Sequence, residues 1–410
     1  MKKILFITST NIVSNPRLLK ELCLAQQSGF DATLLKFDLG NWSQRFESEI
    51  TDKFSNVRII EISALRTPFF PWIISVFLEK TSRILPFFLL NTSLLSFGVG
   101  RRSYLLLNSI KNINQQFDVV VAHNPQSFYP AIVASKKFKS LLFFDFEDFY
   151  SGEYKKESLQ SKMISRLEHI CISEVDQLTT ASSAITDAYK SIFPQKSMTT
   201  INNVFPLSYA VDMIKEVPAT PLKLFWFSQK IGKNRGLENV IKAISSFKRR
   251  EIQLTLLGSC TLQIKSYFSQ LVESYGADKN FLVFMDPVKE SQLVQLASEH
   301  HIGIASEISH IPNRDLCLTN KIFIYLLAGN ALLLSNTRSQ SKFYDENNNI
   351  GFLFKQDSPA DLTEKLKYYL DDPFVLMEHR KNALALAKSK YNWDIEKKIF
   401  LDLLEKQFNS

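Results

Sequence analysis

The feature that most constrains this chain is an alternation of short apolar runs with helix-period segments, interrupted once and then resumed. KILFIT (3–8), FDATLLKF (30–37), FDVVVAH (117–123) and SLLFFDF (140–146) are apolar almost throughout. A strand that is apolar on both faces must be covered on both faces, which is the condition of a parallel sheet flanked by helices. PRLLKELCLAQQSG (16–29) supplies one such helix, with a glycine stop. DQLTTAS and MTTINNV predict two further short strands.

Residues 205–221, FPLSYAVDMIKEVPATP, break the pattern with three prolines and no clear period, and they predict a linker. Alternation then restarts. LKLFWFS, IQLTLLG, FLVFMD, HIGIAS and ALLLSN predict strands, and GLENVIKAISSF, IKSYFSQLVESYG and NKIFIYLLAG predict helices. Residues 360–371 and 373–406 are mostly helical in period. The expected architecture is two doubly wound Rossmann-like α/β domains facing each other across a cleft. The domains are expected at 1–205 and 222–390, joined by a linker at 206–221, with a closing helix at 391–410 that packs back toward the first. Ligands of such sheets bind outside the carboxyl ends of the strands.

Bulk properties narrow the function. The 410 residues are enough for about two or three domains. A net charge of +8 favours anionic partners. The basic residues are not grouped with a recognisable nucleic-acid module, so nucleic acid is not an expected partner. Four dispersed cysteines without a Cys-x-x-Cys pair predict reduced thiols in a cytoplasmic protein, and no metal site is expected. MKKILFITST is too short an apolar run for a signal peptide.

One segment does not fit a plain α/β core. Residues 68–99 are rich in Phe and Leu, and Arg66, Lys80, Arg83, Arg101 and Arg102 flank or interrupt them. An apolar helical face with basic flanks predicts an insertion over 68–102 that meets an anionic membrane surface. The plain alternative is a buried helical insertion with solvated ends.

Two motifs in the second half carry chemistry. In FWFSQKIGKNRGLENVI (225–241) a strand ends, a polar loop with Gly232 follows, and a helix opens after Arg235-Gly236. A helix mouth offers free backbone N–H groups to an anion. Arg235 can grip phosphate oxygens as a bidentate fork, and Gly236 admits close backbone approach. The second motif is NKIFIYLLAG (320–329), where Asn320 and Lys321 open a helix and Gly329 closes it. Lys321 alone is as readily a surface lysine as a ligand.

In their order and separation these motifs resemble the donor-binding domain of GT-B glycosyltransferases, specifically the retaining family 4-like enzymes. The resemblance extends over nearly the whole chain. SNPRLLKELCLAQQSGFDATLL, VVVAHNPQSFYPA, FFDFEDFYSGEY, INNVFP and SKYNWDIEKKIFLDLLEKQ resemble the family's first-domain motifs, hinge and closing helix. The resemblance implies a glycosyltransferase that moves a sugar from a nucleotide sugar to a glycan or lipid-linked acceptor in cell-surface polysaccharide or lipopolysaccharide synthesis. It implies retention of configuration and no cofactor beyond that co-substrate, and the apolar segment with its basic flanks adds an expected place at the inner face of the plasma membrane.

By the same resemblance His123 touches the donor sugar, and Arg235 and Lys321 meet the diphosphate. Gln229 stands where many members carry a second basic residue, with Lys230 as a substitute. Gly236, Gly258, Pro287 in the Met285–Val288 loop, and Asn320 line the nucleotide. Asn15 and Arg17 lie in the first loop, on the acceptor side with Asp145, Glu147 and Asp148. One of those acids meets the acceptor or serves as base, unless they form a plain solvated loop. The family's Glu-x7-Glu is absent. Five residues before Gly329 stands Ile324, and eight before that Leu316. Glu307 and Asp315 are the nearby acids available to replace the first. Two other readings follow from this departure: a binding or scaffold protein of the same fold without turnover, and a nucleotide-sugar epimerase.

Overall fold

A computed structural model describes all residues except 42–46, 48–49, 51–53, 55, 217–219, 249–250, 279–280 and 409–410. Residues 217–219 of the expected linker and the last two residues of the expected closing helix therefore lie outside the described residues.

The chain divides into two compact units. The first comprises Met1–Ile201, Ile311–Asn313 and Phe400–Ser410, and the second comprises Asn202–His310 and Arg314–Ile399. In unit 1 the strands are β1 (Lys3–Thr8), β2 (Asp31–Asp38), β3 (Arg58–Ser63), β4 (Val119–His123), β5 (Leu141–Phe146), β6 (Gln177–Thr180) and β7 (Met198–Thr200). Their order is β3-β2-β1-β4-β5-β6-β7, and every pairing is parallel. In unit 2 they are β8 (Leu222–Lys230), β9 (Ile252–Ser259), β10 (Leu282–Met285), β11 (Ile302–Ala305), β12 (Ala331–Ser335) and β13 (Gly351–Phe354), in the order β10-β9-β8-β11-β12-β13. Both are doubly wound sheets of the expected kind, each reversing direction beside its first strand. The switch point lies between β1 and β4 in unit 1, and between β8 and β11 in unit 2.

Burial explains the strands. Ile4 to Ile7, Val119 to Ala122 and Ala331 to Leu334 are almost completely buried, because helices cover both sides of each sheet. In unit 2 the helix Lys321–Ala328 is buried along its whole length and packs with Phe225, Leu332, Leu334 and Phe343. Two strands that the alternation did not indicate are β3 and β13. The first is a half-exposed edge, and the second is only four residues long.

The insertion between β3 and β4 forms three helices, Phe69–Ile84, Thr92–Val99 and Arg102–Lys111. In the first, only Ser75 and Ser82 are buried. Phe70, Phe77 and Ile84 point outward at 77%, 65% and 82% exposure.

Two close approaches fix the carboxyl end of β8. The strand runs two residues past the expected Ser228, through Gln229 to Lys230, which pairs with Ser259 across a register shift. Gly258 adopts φ +153°, and a Cβ there would sit 2.3 Å from the Ser228 carbonyl oxygen. No side chain fits without moving that backbone. We expect Gly258→Ala to destabilise the protein by about 1–3 kcal/mol, the scale of a strained backbone position. A chemical denaturation midpoint indistinguishable from that of the parent would contradict this.

Candidate functional sites at the strand ends

In unit 1 a charged cluster gathers at the carboxyl ends of β4 and β5. Arg17, in the first turn of the helix Pro16–Gln27, grips both oxygens of Asp145, with Nη2 donating to Oδ1 at 2.9 Å and Nε to Oδ2. Its Nη1 donates to the Ile201 carbonyl at 2.5 Å. The Thr179 hydroxyl donates to Asp145 at 2.6 Å. His123 lies between two acids, with Nε2 2.9 Å from Glu21 and Nδ1 2.8 Å from Glu147. Asn15 donates to the same Glu147 oxygen at 2.8 Å, while its own side-chain oxygen caps the helix at Leu18.

Electrostatics follow from burial. Burial alone would lower the His123 pKa, but Glu21 and Glu147 reverse this and lift it to about 10. An imidazole that hydrogen-bonds a carboxylate through each nitrogen must carry both protons, so His123 is an imidazolium. Burial likewise opposes the charge of Arg17, and Asp145 and Glu21 more than restore it. Burial pushes Asp145 up, but Arg17 and His123 outweigh it and hold its pKa below the ordinary carboxylate range. Donor atoms of Glu21, His123 and Asp145 lie within 4.8 Å of one another, but Arg17, Thr179 and His123 already engage the carboxylates.

His123 is completely buried with both nitrogens engaged. Arg17 and Asp145 are equally buried and hold each other. Asn15 is a buried cap. Glu147 and Asp148 are only half-buried, and Asp148 accepts from Asn313 at 2.9 Å. Glu153 was missed by sequence reasoning. Burial, Asp148 and Glu147 raise it to about 8, and neither composition nor spacing signals such a shift.

In unit 2 a second cluster lies beside the switch point. Glu307 follows β11 and gathers three cations. Lys321 Nζ is 2.7 Å from Oε1, Arg314 Nη1 is 2.8 Å from Oε2, and Arg235 Nη2 is 3.5 Å from Oε1. Burial alone would raise Glu307, but Lys321 and then Arg235 and Arg314 bring it down to about 2. Burial depresses Lys321, and the pull of Glu307 does not fully offset it. Lys321 and Arg235 both lie over the Trp226 ring, at 5.3 and 5.9 Å.

Arg235 has capacity to spare. Its Nε is buried and makes no hydrogen bond to any described residue. Gly236, at φ +76°, turns the chain into the helix Leu237–Ile244 and leaves that helix without a side-chain cap. The Ser306 hydroxyl donates to the Arg235 carbonyl at 2.9 Å and ties this turn to the end of β11.

The structure thus joins Arg235, Gly236 and Lys321 through Glu307 and Ser306. Lys321 is a buried counter-ion of Glu307. Asn320 precedes its helix without capping it. Gln229, Lys230 and Pro287 are exposed at the ends of β8 and β10, and Gly258 serves the close strand approach described above. Arg314 was not anticipated, since the helix that carries it, Pro312–Leu316, is too short to give a periodic signal. Ile324 is completely buried in the core.

The class that the fold defines is the two-domain, parallel-sheet α/β architecture of GT-B glycosyltransferases. Residues 235–397, beginning at Arg235 itself, match the family model described as glycosyl transferase-like. The second half of the chain therefore carries a glycosyl transferase-like domain. No curated protein matches the chain by sequence. Among solved structures it is similar to HepE from Anabaena in complex with UDP and glucose, at 13% identity and a TM-score of 0.69, over 99% of this chain and 100% of that one. It is similar to sucrose-phosphate synthase from Thermosynechococcus elongatus at 14% identity and a TM-score of 0.70, over the whole of both chains. It is also similar to S. aureus TarM, in a mutant form in complex with fondaparinux, α-GlcNAc-glycerol and UDP, at 10% identity and a TM-score of 0.66, again over the whole of both chains.

The unit 1 cluster is a structural requirement that can be measured. Arg17→Ala takes the guanidinium fork from buried Asp145 and leaves it only the neighbouring His123 and the Thr179 hydroxyl, which is expected to cost about 3 kcal/mol. Urea denaturation of the variant measures it, and Arg17→Lys should recover only part because it cannot form the fork. A loss below about 1 kcal/mol, the scale of an exposed pair, would contradict this account.

Proposed function

We propose that the protein transfers a sugar from a nucleoside-diphosphate sugar to a glycan or lipid-linked acceptor in the synthesis of a cell-surface polysaccharide or lipopolysaccharide. The observation that carries the proposal is the buried Arg235 Nε without a partner, in a cluster of three cations and one carboxylate at a switch point. Breaking a sugar–diphosphate bond builds negative charge on the leaving phosphate. Donors fixed in advance lower that barrier without reorganising at the moment of reaction. Glu307 does the fixing. Arg235 and Arg314, about a quarter and a third exposed, are the ones open to a phosphate, and the uncapped helix at Gly236 adds free N–H groups. Lys321 acts from behind, through its charge. Retention belongs to the proposal, since a leaving phosphate on the acceptor's face can take the acceptor proton. The anomeric coupling constant of the product checks that point.

A single series tests the reading. One of UDP, GDP, ADP or CMP should raise the melting temperature by several degrees near 100 times its dissociation constant, where binding adds about 2.7 kcal/mol. Arg235→Ala should weaken that nucleotide by about 1–3 kcal/mol, the scale of a charge-assisted hydrogen bond. No shift with any of the four would remove the donor site. A second reading, a nucleotide-sugar binding protein without turnover, is favoured by Ile324, which is apolar and buried where the resemblance places an acid. Nucleotide binding without consumption of any donor sugar would select it.

The proposal places the protein on the inner face of the membrane. No helix among the described residues is long and apolar enough to cross a bilayer. The helix Phe69–Ile84 instead turns its serines inward and its Phe and Ile side chains out, beside an exposed Phe88. Exposed apolar surface on this scale marks an interaction site. Arg66 and Arg101 flank Trp72 at 5.4 and 5.9 Å, which supplies the positive rim an anionic leaflet attracts. The protein should sediment with phosphatidylglycerol vesicles and less so in high salt. Replacing Phe70, Phe77 and Phe88 by Ser should abolish sedimentation while leaving nucleotide binding intact. Sedimentation undiminished in that triple variant would exclude this face.

A further inference from the structure

Unit 1 contains a polar cavity of about 510 Å³ that nothing above uses. It is lined by Arg83, Arg101, Arg102, Glu79, Gln126 and Gln160, among others. That volume suits a small-molecule ligand. Its position is informative. Arg102 Nη1 donates to the carbonyl of Ser9, one residue past the end of β1, at 2.7 Å. Gln126 follows the end of β4, and its side-chain oxygen accepts from the Arg102 backbone N–H at 3.3 Å. The cavity therefore opens at the switch point between β1 and β4, where a doubly wound sheet binds ligands.

The charge of its wall is unbalanced. Arg83 pairs with Glu79 at 2.8 Å and donates to Gln160 at 3.2 Å. Arg101 and Arg102 have no acidic partner among the described residues. Each spends one guanidinium N–H on a backbone carbonyl, of Ala64 and Ser9 respectively, and the rest of each five-donor fork has no hydrogen-bond partner there. Both side chains also lie at the opening of the helix Arg102–Lys111, the positive end of its dipole. Burial lowers the Arg102 pKa, and the neighbouring Arg101 lowers it further, as crowded cations without a counter-ion require.

Next to this wall stands the outward apolar helix. Arg83 belongs to it, and Arg101 lies 5.9 Å from its Trp72 ring. A ligand that satisfies both surfaces carries a phosphate at one end and an apolar chain at the other. We infer that the cavity lined by Arg83, Arg101 and Arg102 holds the phosphate of a lipid-linked acceptor, whose apolar chain lies along the helix Phe69–Ile84. The inference rests on the transferase reading for the word acceptor, and on this cavity alone for the phosphate. Two guanidinium forks match a phosphate dianion.

The experiment uses the full chain and two soluble probes, decyl phosphate and sodium phosphate, titrated calorimetrically. Decyl phosphate should bind more tightly than sodium phosphate by about tenfold or more, a difference of about 1.4 kcal/mol. The double variant Arg101→Gln with Arg102→Gln should lose that binding by a similar factor, and the Lys pair should recover part of it. The nucleotide-induced melting shift should survive in the Gln pair. Equal decyl phosphate affinity in parent and Gln pair would overturn the inference. Equal affinity for the two probes would also overturn it, leaving a plain anion site. A parent protein that binds decyl phosphate but no nucleotide would instead overturn the transferase reading, and the phosphate site would stand without an acceptor role.

Discussion

One constraint governs the two charged clusters. Parallel strands covered by helices on both faces leave little room for charge along their length, so most of it collects where strands end. His123 and Asp145 stand at the ends of β4 and β5, and Glu307 just beyond β11. Each is deeply buried, and each survives there by acquiring opposite charges from helices that begin nearby. Unit 1 closes its cluster completely. His123 and Arg17 together face Glu21, Asp145 and Glu147, and little donor capacity remains. Unit 2 leaves its cluster open, with three cations on one carboxylate and a guanidinium nitrogen unspent. The same topology thus yields a closed internal lock in one half and an anion-seeking site in the other.

The alternation of apolar runs made the sheets legible because burial on both faces leaves a continuous apolar signature. It failed at β3, where RIIEIS is a half-exposed edge, and at β13, where GFLF is too short to register. Site residues were legible only where backbone geometry demands a residue type. Arg235 stands out because a glycine in left-handed conformation and a helix follow it. Arg314 does not, because nothing local marks it. The partners of His123 were not legible for a related reason. Glu21 is 102 residues away, so its pairing with the ring has no trace in sequence spacing.

The missing acid of the helix Lys321–Ala328 has a physical explanation. Position 324 lies in the core, completely buried among Phe and Leu side chains, where a carboxylate would cost several kcal/mol without a partner. The acid this half does use, Glu307, comes from the end of β11. Its 14-residue separation from Lys321 is bridged by the segment whose short helix, Pro312–Leu316, carries Arg314. Charge balance near the helix mouth is therefore kept by a different residue from the one the resemblance points to. Arg235, Arg314 and Lys321 keep their arrangement around Glu307 without an acid at position 324.

The insertion of unit 1 breaks the ordinary logic of a soluble helix. Ser75 and Ser82 face inward, where small side chains permit close packing, and the Ser82 side chain comes close to Gly98 of the next helix. The large apolar residues are left outside at the expense of solvation. A helix inverted in this way is stable in water only because its serine side is well anchored, and it gains by burying its outer side elsewhere. The nearby arginines pull in the same direction. Two of them lack carboxylates while a third is paired, so the local field stays positive beside an apolar surface. Apolar area and uncompensated charge at a strand-end cavity impose one joint requirement, an amphiphile with an anionic head, which neither feature would impose alone.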